Sequence, residues 1–296
     1  MRKAGILEII EPKETAADIG GLSYLKTWLA KRKRAFTPEA VAYGLPAPKG
    51  VLIIGIPGTG KSLTAKAAAS ILERPILKLD AGRLFAGIVG ESEANLRRAI
   101  QTAEAIAPCI LWIDEIEKGM SGSRGSGATD GGTSARVFGS FISWLQDKTS
   151  PVFVVATAND ISQLPPELLR KGRFDELFFV DLPEASEREA IWRIHLAARG
   201  RDPEAFDIDG FVKASDGFTG SEIEQAVIDA LFDSFDAGAE LSGGALDLAV
   251  RRAVPLSSTM AEDVRALRKW ATGRARCAGG DAQASATGGR RVSVDT

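Results

Sequence analysis

The sequence predicts an α/β fold: a parallel sheet organised on a phosphate-binding P-loop, with an all-helical domain after it. Three observations predict it. A short apolar run, Val51–Ile54, ends in Gly55-x-x-x-x-Gly60-Lys61-Ser62, and a helical pattern (KSLTAKAAASIL) starts at once. Apolar runs at 76–80, 109–113, 152–157 and 177–181 alternate with helical stretches. That is the pattern of parallel strands covered on both faces. From Pro183 onward only helical spacing remains.

Bulk composition narrows the class. The 296 residues are 45% hydrophobic and 26% charged, ordinary for a globular chain. The formal net charge of −2 gives no basic field, so a nucleic-acid partner is not expected. Two cysteines, Cys109 and Cys277, are too few for a disulfide framework, and Cys109 lies in an apolar run as a small core residue. No stretch is long and apolar enough to span a membrane, and Glu8 interrupts the N-terminal apolar run, against a signal peptide. The expected location is a reducing cytoplasm. The one histidine, His195, excludes a His-x-x-x-His zinc protease within this chain.

The elements follow in order. Residues 1–17 read as an N-terminal arm. Residues 18–182 read as the α/β domain. It opens with a turn, Asp18-Ile19-Gly20-Gly21-Leu22, and a helix carrying Leu22, Leu25, Trp28 and Leu29 on one face. The basic run 31–34 reads as a solvated helix end. Thr37-Pro38-Glu39 starts another helix, with Thr37 as N-cap and Pro38 in the first turn. The helix 91–107 presents Leu96, Ala99, Ile100 and Ala103 together. Residues 121–132 are loop by composition, and a helix from about Ser134 carries Phe138, Phe141, Ile142 and Leu145. Residues 183–271 read as the helical domain. Ser186-x-x-Glu189 and Thr219-x-x-Glu222 both have the form of a capping box. Residues 272–296, rich in Gly, Ala, Ser and Arg, read as a disordered tail.

The chemistry is carried by four motifs. In the P-loop, backbone N–H groups and the positive end of a helix meet phosphate. Gly58 and Gly60 allow the turn, Lys61 reaches the outer phosphates, and Ser62 ligates Mg²⁺. The strand ILWI then delivers Asp114 and Glu115 at its C-terminal end, where ligands sit in open α/β sheets. Hydrolysis at a γ-phosphate needs a held Mg²⁺ and an aimed water, so Asp114 acts on the metal shell and Glu115 on the water. Asn159 ends another strand, with an amide that can contact phosphate and water. Arg170 and Arg173 stand three apart before the last strand, where guanidinium groups can spread charge over a transferring phosphate.

With these motifs in view, the chain resembles the AAA ATPases. DIGGL, GIPGTGKS, ILWIDE, ATAN and LLRKGRFDE stand in that family's order and spacing over about residues 15–270. The resemblance implies an α/β nucleotide domain with a helical lid, binding ATP and Mg²⁺ between subunits of a homo-oligomeric, usually hexameric, ring. Carried over residue by residue, Arg170 and Arg173 are the fingers that reach a neighbour's γ-phosphate. Ile19 and Gly20 line the adenine pocket. Pro57, Thr59 and Leu63 belong to the phosphate loop, His195 lies near adenine and ribose, and Gly220 and Ser221 form the lid turn beside the nucleotide. GILEII, RAFTPEAVAYGLP, GRLFAGIVGESE and CILWIDEIEKG further resemble AAA proteins encoded as a conserved reading frame in plastid and cyanobacterial genomes. Those proteins are usually longer, which implies either a short relative or one lacking a preceding domain.

Three departures matter. Ile88 stands where unfoldases of the family carry a pore aromatic, so the apolar grip lacks a flat ring. Lys171 replaces the proline usual between the two arginines. The stretch 121–132, at the place of a second pore loop, carries only Arg124 and Asp130 as charges. The leading expectation is an ATP-driven remodeller of a protein partner. A nucleotide-gated regulatory or assembly module without threading is the alternative, and a nucleic-acid motor ranks third.

Overall fold

The apolar runs find their place in one sheet. The structure is a computed structural model that describes residues 6–85, 91–119 and 131–279. Its strands are β1 (Leu7–Ile10), β2 (Gly50–Gly55), β3 (Ile76–Leu79), β4 (Cys109–Ile113), β5 (Val152–Ala158), β6 (Glu176–Val180) and β7 (Arg276–Cys277). They lie in the order β1-β3-β4-β5-β2-β6-β7. Every pairing is parallel except β1 with β3. β2, β4 and β5 are buried along their whole length, which is why they read as continuous apolar runs rather than alternating ones. At Gly50 the backbone adopts φ +142°, and a Cβ there would stand 2.0 Å from the Val154 carbonyl oxygen. Only glycine lets β2 start this close to β5.

Helices cover both faces. α1 (Ser23–Arg32), α2 (Pro38–Ala42), α3 (Lys61–Leu72), α4 (Ala81–Phe85), α5 (Glu91–Ile106) and α6 (Gly131–Asp147) belong to the α/β domain. Leu22, Leu25, Trp28 and Leu29 pack with α3 against one face through Phe153 and Phe178. Leu96, Ala99 and Ala103 of α5 join Phe138, Phe141 and Leu145 of α6 on the other. Within the basic run 31–34, the Arg32 guanidinium lies 3.1 Å from the Trp28 ring centroid, a cation–π contact.

The helical part comprises α7 (Ala185–Ala197), α8 (Ile208–Ala214), α9 (Gly220–Asp236), α10 (Gly243–Arg252), α11 (Leu256–Thr259) and α12 (Ala261–Ala271). α7 to α10 share a separate core around Trp192, Leu196, Phe211, Ile223 and Leu246. α12 departs from the expected single lid over 183–271. Its Val264, Leu267 and Ala271 pack into the α/β core, and its Arg268 pairs with Asp181 at 2.9 Å.

Two terminal stretches also differ from expectation. Part of the arm, Leu7–Ile10, is an edge strand on β3. Part of the tail forms β7 on β6, and buried Ala278 ties β6 to α1 through Ala278 N–H to Phe179 and Leu25 N–H to Ala278. β1 is a four-residue apolar run broken by Glu8, and β7 is only two residues long, so neither reads as a strand by length. Residues 280–296 lie outside the described residues.

Of the caps, Thr219 with Glu222 forms the expected box. Ser186 and Glu189 do not. Glu184 is the N-cap of α7, and Glu187 closes the box. Thr37 precedes Pro38 at the start of α2, but its hydroxyl donates back to Arg34 instead of capping.

Candidate functional site

The C-terminal ends of β2, β4 and β5 meet the N-termini of α3 and α9 and one face of α7. Between them lies a cavity of about 400 Å³. Ile19, Gly20, Pro57, Gly58, Thr59, Gly60, Lys61, Ser62, Leu63, Glu115, Asn159, His195, Gly220 and Ser221 all line it.

One end is built by the P-loop. Gly60, at φ +89°, is the N-cap of α3, and a Cβ added there would meet nothing within 4 Å, so the helix N-terminus opens straight onto the cavity. Lys61 is only 6% exposed. Its ammonium donates to the carbonyls of Gly55 (2.9 Å) and Ile56 (2.6 Å). Burial pushes its pKa down to about 8, against the pull of Glu117, Asp114 and Glu115. A cation folded back on carbonyls is one that an incoming phosphate can recruit.

Beside it, Ser62 Oγ donates to Asp114 Oδ1 at 2.8 Å, and Thr157 Oγ1 donates to the same oxygen at 2.6 Å. Thr157 Oγ1 in turn accepts the Glu115 N–H at 2.9 Å. The register of β4 with β5 creates this cluster. Glu115 sits at φ +49°, a left-handed conformation that non-glycine residues rarely adopt and that concentrates at functional positions. Its carboxylate accepts from Asn159 Nδ2 at 3.0 Å and pairs with Lys118. Glu117 lies behind this pair, accepting the Asn159 N–H at 2.9 Å. Burial raises its pKa, and the Asn159 N–H opposes that.

The other end is apolar. Ile19 is buried, and a Cβ on Gly20 would stand 2.4 Å from Ile191 Cγ1, so α7 closes tightly on this turn. Ile191, Ile194 and His195 form the α7 wall. Burial pushes the His195 pKa below 6.5, opposed by Glu224 and aided by Arg199, which pairs with Glu224 at 2.8 Å. The lid reaches the P-loop directly: Ser221 N–H donates to the Gly58 carbonyl at 3.1 Å.

Arg170 and Arg173 stand apart from this cavity. Arg170 is exposed, Gly172 at φ +94° makes the turn between them, and the Arg173 guanidinium donates to Lys171 O at 3.5 Å. Ile88 and the stretch 121–130 lie outside the described residues. Sequence reasoning missed Thr157, Glu117, Ile191, Ile194 and Glu224. The last three share the i, i+3, i+4 faces of His195 and Gly220, a signal that spacing carried once those helices were identified.

The residues fit a magnesium nucleotide. Ser62 Oγ and Asp114 Oδ1 place two hard oxygens side by side at the loop. No cluster of three or more His, Cys, Asp or Glu side chains able to hold a metal occurs among the described residues. Mg²⁺ suits such a site, because it takes one or two protein oxygens and completes its shell with phosphates and water.

Comparison with known proteins agrees with the geometry. Residues 51–182 match the ATPase family associated with various cellular activities (AAA). The chain is 52% identical over 273 residues to an uncharacterised AAA domain-containing protein, ycf46, of Pyropia yezoensis, covering 92% of this chain and 55% of that protein. A ycf46 protein of Guillardia theta is 50% identical over 268 residues, 90% of this chain and 53% of its own. The peroxisomal ATPase pex6 of Schizosaccharomyces pombe is 33% identical over 230 residues, 75% of this chain and 24% of its own. This chain therefore spans about half the length of the ycf46 relatives it matches. On the P-loop, the strand-end acids and these matches together, the chain belongs to the AAA family.

Proposed function

We propose that this protein hydrolyses ATP and works as a homo-oligomeric ring, a hexamer, that remodels a protein partner in a reducing compartment such as the cytoplasm. The observation that carries hydrolysis is the contact of Asn159 Nδ2 with Glu115 Oε1 at 3.0 Å, beside the Ser62–Asp114 pair. ATP with Mg²⁺ supplies the scissile phosphoanhydride and neutralises its charge. Lys61 would turn from its two carbonyls to the outer phosphates, while Ser62 and Asp114 would hold the metal. Glu115 would orient the attacking water and take its proton as the water oxygen bonds the γ-phosphorus and the bond to the β–γ bridging oxygen breaks, releasing ADP, with Asn159 fixing the carboxylate. Ile19, Gly20 and His195 hold the base end. Arg170 and Arg173, standing away from their own cavity, act on a neighbour's nucleotide.

Glu115→Gln tests the reading: we expect ATP binding kept and turnover reduced by about a hundredfold or more. Undiminished turnover would overturn it. The second reading, a nucleotide-gated module without threading, draws on the Ser221–Gly58 contact, through which bound nucleotide can set the lid position. Ile88→Ala discriminates: loss of partner remodelling with ATPase intact supports threading, and retained remodelling supports gating.

A further inference from the structure

Glu117 is a buried acid that the hydrolysis scheme above does not use. It lies on the 3₁₀ turn Ile116–Gly119 that follows β4. Its neighbours Glu115 and Lys118 have solvent-accessible side chains, whereas Glu117 is 5% exposed. One carboxylate oxygen, Oε1, accepts the Asn159 N–H at 2.9 Å. The other, Oε2, is buried without a hydrogen-bond partner. Burying a carboxyl with an unpaired oxygen costs stability, and an apolar residue of the same size would fill the space at less cost. Stability alone therefore does not account for it.

The bonds around it form a chain. Glu117 Oε1 holds the Asn159 backbone where β5 ends, and the Asn159 side chain then reaches Glu115 Oε1 at 3.0 Å. β4 and β5 are joined by ladder bonds up to Ile113 and Ala156, but not at Asn159. Glu117 supplies the tie that the ladder lacks there.

We propose that Glu117 is a positioning residue for ATP hydrolysis, fixing Asn159 so that its amide holds Glu115 in line with the water. This rests on the ATPase reading above. Acting through Asn159, Glu117 influences turnover; its charge also supports the Lys61 ammonium, an effect lost equally in the uncharged Gln, Met and Ala variants, so comparison with Glu117→Gln isolates the tie.

The test uses the full chain, with steady-state ATP turnover and the Kd for a fluorescent ADP analogue. Glu117→Met fills the same volume without an acceptor, and Glu117→Ala leaves room for water, so whichever folds serves. We expect kcat to fall about tenfold below that of Glu117→Gln, with KM and Kd within twofold of that equally uncharged variant, and Glu117→Gln, which keeps the acceptor, to stay within threefold of the parent in kcat. Adding Glu117→Met or Glu117→Ala to Asn159→Ala should cost nothing further, because the tie has lost its object. Parent-level kcat in the Met or Ala variant would overturn the proposal. So would equal losses in kcat and affinity, a tenfold loss in the Gln variant, or losses that multiply in the double variant. A parent protein that binds the analogue but turns over no ATP would sink the ATPase reading, and this proposal with it.

Discussion

Buried Lys61 holds its ammonium against two carbonyls, and burial pulls its pKa down to about 8. Phosphate beside it raises that pKa, so binding takes up a proton wherever the free lysine is already neutral. The sign follows: affinity is complete well below pH 8 and falls as pH rises through 8. Calorimetry of ADP binding in two buffers of different ionisation enthalpy should detect proton uptake between about pH 8 and 9 and a weakening Kd across that window. Unchanged affinity to pH 9.5 would contradict it. Residues of this kind were legible in the sequence because their chemistry is local: a loop, a helix start and a strand end carry it within a dozen positions. Thr157 and Glu117 were not. Thr157 meets Asp114, and Glu117 meets Asn159, across more than forty residues of sequence, through a strand register and a 3₁₀ turn that no motif encodes.

At the level of elements, β2 to β6 showed in the sequence because each is a mainly apolar run, and β2, β4 and β5 are buried along their whole length. β1, β7 and the destination of α12 did not. β1 sits at the sheet edge with Ile9 exposed, β7 is two residues long, and α12 carries an apolar stripe that could have packed on either domain. The start of α7 was misplaced because Glu184, an uncommon N-cap, does the work that the Ser186 pattern advertised. One close element contact is β2 against β5 at Gly50. Gly50→Ala drives a methyl into the Val154 carbonyl and strains the backbone, so we expect a loss of more than about 3 kcal/mol, read as a collapsed thermal transition. Glu187 is a second joint. It accepts Leu22 N–H at 3.0 Å, bonding α7 to the turn that carries Ile19 and Gly20. Glu187→Ala should loosen that end of the cavity and weaken nucleotide binding several-fold, by roughly one hydrogen bond, and unchanged ADP affinity would count against it.

Across the whole molecule, Arg170 and Arg173 stand apart from their own cavity, and in the proposed ring this would make activity a property of the assembly. Specific ATPase activity should rise with protein concentration, tracking the oligomer seen by light scattering. Arg170→Ala with Arg173→Ala should remove most turnover, about a hundredfold or more, while leaving ADP affinity within a few-fold. A concentration-independent rate would refute the shared site. α9 starts at the Gly58 carbonyl of the phosphate loop and runs 17 residues, about 25 Å, to a solvent-facing end where Phe232 and Phe235 are 70% and 86% exposed. Packed with α7 and α10 in one core, α9 would carry any tilt of the lid outward as an indicator needle does. A tilt of about 5° at Gly58 would swing the phenylalanines by about 2 Å. The presence of a phosphate would then be written on the outer surface of the lid, where a partner could read it without entering the cavity.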